Sequence, residues 1–258
     1  MPIKRSYLPG QFCWTDLATT DPASAKAFYT ALFEWTAVDQ PVPGGGTYTM
    51  LKKGDQDVAA LGGQSADDRA RGIPPHFNIY VAVSNAEAIV ARAVAEGARV
   101  LAPAFDVMEV GRMAVIADPT GAAICLWQGR SHIGATLAGE PGTLCWCELA
   151  TNDPARAKTF YMSLFGWTAG GDAQYTEWIF GQDHIGGMLK IDPTWGPMPP
   201  AWSPYFQVES AEASAEKARS LGGKILSPPK EVGSMGKFAV IGDPQGAVFS
   251  IYEPQKRG

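Results

Sequence analysis

Two stretches of the chain carry apolar residues at the same helical spacing. Ala25, Phe28, Tyr29, Leu32 and Phe33 stand at i, i+3, i+4, i+7 and i+8, and Ala157, Phe160, Tyr161, Leu164 and Phe165 do the same. Each set predicts one amphipathic helix with an aromatic inner face. Asp21-Pro22 and Asp153-Pro154 stand just ahead of them, as N-cap and first-turn proline. Before each helix runs a short apolar stretch suited to a strand, FCWTDLA or LCWCELA. After each come strand-like pieces, around Tyr48 to Gly62 and Tyr175 to Leu189.

The likeness of the two stretches is a duplication. Sliding the sequence by 132 sets the 28 residues from Gly10 on those from Gly142 with 18 identities, and an offset of 125 sets AVIADPTGA, from Ala114, on AVIGDPQGA, from Ala239. The change of offset means that seven residues are missing from the middle of the second copy, as expected of a loop difference. Phe77 to Val83 and Tyr205 to Val208 read as further strands, and residues 85–97 and 210–222 as Ala-rich helices. Asp118-Pro119-Thr120-Gly121 and Asp243-Pro244-Gln245-Gly246 have type I turn chemistry, so each closes a hairpin. The order strand, helix, several strands therefore occurs four times. The expected organisation is a first domain over 1–128, a Gly-rich polar linker over 129–141, and a second domain over 142–258.

Composition narrows the class. With 46% hydrophobic and 18% charged residues, the 258-residue chain can form real cores. A formal net charge of −5, with no run of Lys or Arg beyond two, supplies no footprint for nucleic acid or anionic lipid. No apolar run reaches membrane-spanning length and the N-terminus lacks a signal core, so the expected compartment is the cytoplasm, with neither membrane nor nucleic acid as partner. Four cysteines without CxxC spacing suggest neither a disulfide scaffold nor structural zinc. Gly44-Gly45-Gly46 precedes no helix and reads as a loop, not a phosphate cradle.

The strand plus D-P-x-x-A-x-x-F-Y-x-x-L-F-x-W helix, with the D-P-x-G hairpin and its apolar strand, resembles the vicinal oxygen chelate superfamily. That superfamily holds glyoxalase I, bleomycin-resistance proteins and extradiol dioxygenases. The resemblance covers nearly the whole chain and implies an α+β fold, a tandem duplication in which four βαβββ modules form two cupped mixed sheets. It also implies that metal-dependent members carry His, Glu or Gln at set strand positions. Here those positions hold Trp14, Asn78 and Cys125 in the first domain and Trp146, Ser203 and Ser250 in the second. The remaining one falls among Ala59, Ala60 and Leu61 or among Gly186, Gly187 and Met188. Such sets do not suit a catalytic divalent ion, which wants about three His, Glu or Asp ligands. The three histidines, His76, His132 and His184, share no ligand spacing and read as surface or packed residues. The expectation is no metal and no cofactor.

Strand alternation from those positions points Trp14, Asp16, Asn78, Tyr80, Cys125 and Trp127 into the first cup. It points Trp146, Glu148, Ser203, Tyr205, Ser250 and Tyr252 into the second. Cys13, Leu17, Ile79, Val81, Ile124 and Leu126 fall on the opposite, helix-side face. Aromatic walls with few polar groups suit a small-molecule site. Asp16 and Glu148 are the candidate catalytic residues, able to bind a cation or to act as general base, unless Arg112 and Lys237 neutralise them. Cys125 has no neighbouring base to activate it as a nucleophile.

Whether the chain catalyses a reaction stays open at this point. The first reading is a metal-free protein of the bleomycin-resistance type that binds an aromatic or cationic small molecule. The second is a metal-free lyase, isomerase or hydroxylase using Asp16 or Glu148. A glyoxalase- or dioxygenase-like enzyme with non-standard ligands and a plain interaction protein complete the set. The duplication allows a monomer with an internal pseudo-dimer or a homodimer.

Overall fold

The computed structural model describes residues 3–42 and 45–255. In the first repeat β1 (Phe12–Thr19), α1 (Pro22–Phe33), β2 (Thr36–Pro41), β3 (Thr47–Lys53) and β4 (Gln56–Gly63) form one module. After a five-residue helix, α2 (Ala66–Ala70), the second module follows: β5 (His76–Ala82), α3 (Ala86–Ala95), β6 (Arg99–Val107), β7 (Gly111–Ala117) and β8 (Ala123–Gly129). The second repeat runs β9 (Leu144–Thr151), α4 (Pro154–Phe165), β10 (Thr168–Gly171), β11 (Tyr175–Phe180) and β12 (Asp183–Lys190). It continues with β13 (Ala201–Gln207), α5 (Ala211–Ser220), β14 (Lys224–Val232), β15 (Gly236–Gly242) and β16 (Val248–Pro254).

The fold is α+β: two mixed eight-stranded sheets with the same order, β2-β3-β4-β1-β5-β8-β7-β6 and β10-β11-β12-β9-β13-β16-β15-β14. Four βαβββ modules are present, as the repeated pattern implies. Asp21 and Asp153 cap α1 and α4 by accepting from Ser24 N and Arg156 N, with proline in the first turn of both helices. Asp118 Oδ1 accepts from the amides of Thr120, Gly121 and Ala122, which ties the expected turn between β7 and β8. The offset falls in two steps. Tyr48 and Tyr175 are 127 apart, so the β2–β3 connection accounts for five of the missing residues, and the segment around α2 for the other two. Gly45 and Gly46 lie in that β2–β3 connection, while Gly44 lies outside the described residues.

The helix-bearing faces of the two sheets pack together, crosswise. Leu17, Phe28, Leu32 and Leu61 of the first repeat share one core with Phe206, Ile241, Phe249 and Ile251 of the second. Ile79, Val81, Ile124 and Leu126 share the other with Leu149, Phe160, Leu164 and Trp167. Two cores thus span both repeats, and the opposite sheet faces, the cups, are turned away from them. Reciprocal hydrogen bonds join the halves: Trp35 Nε1 donates to Gly142 O (2.8 Å) and Trp167 Nε1 to Gly10 O (2.7 Å).

One expectation about sheet faces fails. A β-bulge sets Phe12 opposite Val81 and Trp14 opposite Tyr80, leaving Cys13 as the extra residue. Phe12 therefore takes the helix-side place against Trp167 and Trp202, and Cys13 packs with Trp14 and Ala135 on the cup side. Leu17, Ile79, Val81, Ile124 and Leu126 lie under the helices as expected. Among the described residues no helix is long and apolar enough to cross a membrane.

Candidate functional site

At the floor of each cup a carboxylate on the central first strand is held by hydroxyl donors. In the first, Asp16 Oδ2 accepts from Tyr48 OH (2.9 Å) and Tyr80 OH (2.8 Å), and Oδ1 from Asn78 Nδ2 (2.8 Å). In the second, Glu148 Oε2 accepts from Tyr175 OH (2.7 Å) and Oε1 from Tyr205 OH (2.6 Å). Trp14 Nε1 and Trp146 Nε1 donate to Tyr48 OH and Tyr175 OH respectively, both at 3.1 Å. The chain indole–phenol–carboxylate is therefore built twice. Burial raises the pKa of both acids against the opposing pull of these hydrogen bonds, and it raises those of the tyrosines further, so the phenols stay protonated donors.

Tyr48 and Tyr175 escape the sequence reading. Tyr48 is the second residue of β3 and Tyr175 the first of β11, and their offset of 127 matches neither 132 nor 125, so no aligned block contains them. Gly187 makes room for Tyr175: a Cβ there would run into its hydroxyl. The alternative in which Arg112 and Lys237 neutralise the acids does not hold. Those two bind Glu87 and Glu212, equivalent glutamates on α3 and α5, because their side chains leave the helix side of β7 and β15. Among the described residues no cation touches Asp16 or Glu148; the more distant Lys230, whose Nζ lies 4.8 Å from the Phe238 ring centre, adds a smaller downward pull on the Glu148 pKa to that of the two phenols.

The other predicted residues divide. Cys125 is buried beside Tyr80, and burial pushes its thiol well above the ordinary range. Trp127 turns to the linker, donating to His132 O at 2.9 Å. Ser250 lies buried beside Tyr205, while Tyr252 OH goes to Met235 O (2.7 Å), away from Glu148. Ser203 stands opposite Glu148 across β9 and β13, and its Oγ is buried without a partner.

The two cups differ in access. Trp14 is 3% exposed and Asp16 7%, whereas Trp146 and Glu148 are both partly exposed. The linker causes the difference by crossing the first cup. Ala135 N donates to Cys13 O (2.8 Å), Tyr7 OH to Ala135 O (2.7 Å), and the His132 ring lies edge-on to Trp14 at 4.7 Å. His132, read as a surface or packed residue, packs in the first cup, and Tyr7, which bonds the linker at Ala135, is a further residue of that cup. His76 bonds its own segment at Pro74 O, and His184 bonds Glu177 at 2.6 Å. Two surface clefts, of about 450 Å3 by Glu231 and Lys237 and about 550 Å3 by Pro154 and Lys190, lie outside the cups.

A divalent ion does not fit these residues. Each floor offers a single carboxylate, which accepts from phenols, and beside it only neutral phenol, amide, hydroxyl or thiol groups. Among the described residues no group of three or more His, Cys, Asp or Glu could hold an ion.

Comparison with known proteins agrees with the architecture. The family model described as Glyoxalase/Bleomycin resistance protein/Dioxygenase superfamily matches residues 11–126 and again 143–251. The protein named "Putative glyoxylase CFP32" of Mycobacterium tuberculosis is 43% identical, over 98% of either chain. "Anthracycline biosynthesis protein DauV" of Streptomyces sp. is 33% identical, over 96% of this chain and 94% of that one. Among solved structures, the Mn(II)-bound glyoxalase of Novosphingobium aromaticivorans superposes with a TM-score of 0.69 at 14% identity, over 96% of this chain and 83% of that one. The 2,3-dioxygenase LapB of Pseudomonas sp. KL28 does so with 0.67 at 15%, over 96% and 93%. At such identities the structures speak to the fold alone. The chain belongs to the Glyoxalase/Bleomycin resistance protein/Dioxygenase superfamily, with two tandem matches to its model.

Proposed function

We propose that the protein binds an aromatic or cationic small molecule, without a metal, in its second cup. The observation that carries this reading is Glu148: a partly exposed carboxylate held by two phenols, with Trp146 beside it and, among the described residues, no cation bonded to it. A ligand that brings a positive charge or an N–H to this oxygen pair gains a charge-assisted hydrogen bond in a largely desolvated place. Flat apolar surface gains contact with Trp146, Tyr205 and Phe238. The name of the 33% identical relative, tied to the making of anthracyclines, supports an aromatic ligand. Asp16, buried and bonded by three donors, holds the first cup together in this reading.

Calorimetric titration of benzylammonium in the presence of a chelator tests it. Glu148→Gln is expected to weaken binding about tenfold or more, roughly 1.4 kcal/mol. Binding that needs an added divalent ion, or that ignores the substitution, would sink the reading.

The enzyme alternative has an observation of its own. Burial raises the pKa of Glu148, which suits a general acid or base in a metal-free lyase, isomerase or hydroxylase. The name of the 43% identical mycobacterial relative leans the same way. Turnover abolished by Glu148→Gln with binding largely kept would move this alternative to first place.

A further inference from the structure

The first cup already contains a ring. The linker brings His132 between two indoles, edge-on to Trp14 (4.7 Å, 87°) and to Trp127 (5.8 Å, 69°). Its backbone is fastened on both sides: His132 N donates to Val110 O (3.1 Å), and Trp127 Nε1 donates to His132 O (2.9 Å). Gly134 comes so close to β1 that a Cβ would strike the Cys13 carbonyl. The imidazole Nε2 is buried without a partner, so packing against indoles, not hydrogen bonding, holds the ring in place.

In the second cup, among the described residues, no amide outside the sheet reaches Cys145 O as Ala135 N reaches Cys13 O. Trp146 is correspondingly open. A second difference lies beneath it. Where Asn78 donates to Asp16, its equivalent Ser203 faces Glu148 with an orphaned, buried hydroxyl. A buried hydroxyl without a partner is costly, and a ligand group bonded to both Ser203 and Glu148 removes that cost.

We propose that His132 is a built-in occupant of the first cup and that the second cup takes a free molecule of the matching kind. That molecule is a flat nitrogen heteroaromatic ring seated edge-on to Trp146, bearing a hydroxyl or amino group that bonds Glu148 and Ser203. The assignment rests on the reading of the second cup as a binding site, and it narrows the ligand class. A ring set perpendicular to the indole, as His132 is to Trp14, makes the favoured T-shaped contact, and the polar floor calls for a donor one ring further in.

The test is calorimetry on the full chain with 5-hydroxybenzimidazole, using benzylammonium and 2-naphthol as comparators. One equivalent of the heterocycle is expected to bind, more tightly than 2-naphthol, and Ser203→Ala and Trp146→Leu are each expected to weaken it about five- to tenfold. His132→Gly, with His132→Ala as a milder variant should the glycine unfold the chain, is expected to take up one equivalent of free imidazole that the unaltered chain does not. Two equivalents of 5-hydroxybenzimidazole on the unaltered chain, or no imidazole uptake by a folded His132 variant, would overturn the built-in occupant. If benzylammonium binds in a Glu148-dependent way and 5-hydroxybenzimidazole does not, the heteroaromatic class falls and the broader reading of the site survives. If neither binds, both fall.

Discussion

Asp16 and Glu148 occupy equivalent places on β1 and β9 and differ by one methylene, and their company differs as well. The shorter acid meets Asn78 and two phenols and is sealed; the longer one meets two phenols, makes no bond to Ser203 and stays partly open. Burial raises the pKa of Asp16 above the ordinary aspartate value of 3.8, in spite of three donors. A carboxyl that holds its proton more tightly when folded stabilises the fold fully below 3.8, and that contribution is lost as pH rises through the folded value. Urea unfolding of the unaltered chain and of Asp16→Asn, compared across pH, should therefore diverge. The unaltered chain is expected to lose stability relative to the variant as pH climbs from 3.8, by at most about 1.4 kcal/mol per pH unit for one proton. A difference that stays flat with pH would show that Asp16 titrates alike in both states.

Among the elements, the linker sets the difference between the cups. Gly134, at φ +109°, takes a backbone conformation that L side chains rarely adopt, and it does so against the Cys13 carbonyl. Gly134→Ala is expected to lift the segment around His132, to cost about 1–3 kcal/mol, and to speed hydrogen exchange at Ala135, whose amide bonds Cys13 O. Unchanged protection of that amide would mean that the strand accommodates the methyl. None of this course is legible in the sequence, because the linker residues carry no periodicity, and periodicity is what the strands and helices advertise. The aromatic helices, their caps and the Asp-Pro-x-Gly hairpins were legible, since each has local chemistry and a second copy to agree with. Alternation sets Cys13 on the wrong face because one bulged residue shifts it without altering composition. Tyr48 and Tyr175 were missed because loop loss moved them out of both aligned blocks. The apolar pattern marked Phe28 and Phe160 as buried, but it cannot say that each lies in a core shared with the other repeat.

At the scale of the whole molecule, crosswise cores make the halves depend on each other. Two clasps reinforce them, each running from an α1- or α4-type helix to the hairpin of the other repeat: Tyr29 OH donates to Asp243 Oδ2 (3.0 Å) and Tyr161 OH to Asp118 Oδ2 (2.8 Å). The same aspartates tie their turns through Oδ1, so each joins local turn chemistry to long-range assembly. The clasps are not equal. Tyr161 OH also accepts from Trp202 Nε1 (2.8 Å), on a residue that is itself 5% exposed, and among the described residues no such bond is made to Tyr29. Removing the hydroxyl of Tyr29 leaves one buried carboxylate oxygen short of a donor. Removing that of Tyr161 leaves a carboxylate oxygen and an indole N–H both unsatisfied. At about 1–3 kcal/mol for each orphaned buried group, Tyr161→Phe is expected to destabilise the chain more than Tyr29→Phe, by roughly the worth of the indole bond. Because each tyrosine lies in a core shared by both repeats, either variant should lower the midpoint of one cooperative transition and leave its steepness unchanged. Denaturant unfolding followed separately by tryptophan fluorescence and far-ultraviolet dichroism measures both quantities. Two resolved transitions, or a Tyr29→Phe loss that exceeds the Tyr161→Phe loss, would contradict the shared cores or the unequal clasps respectively.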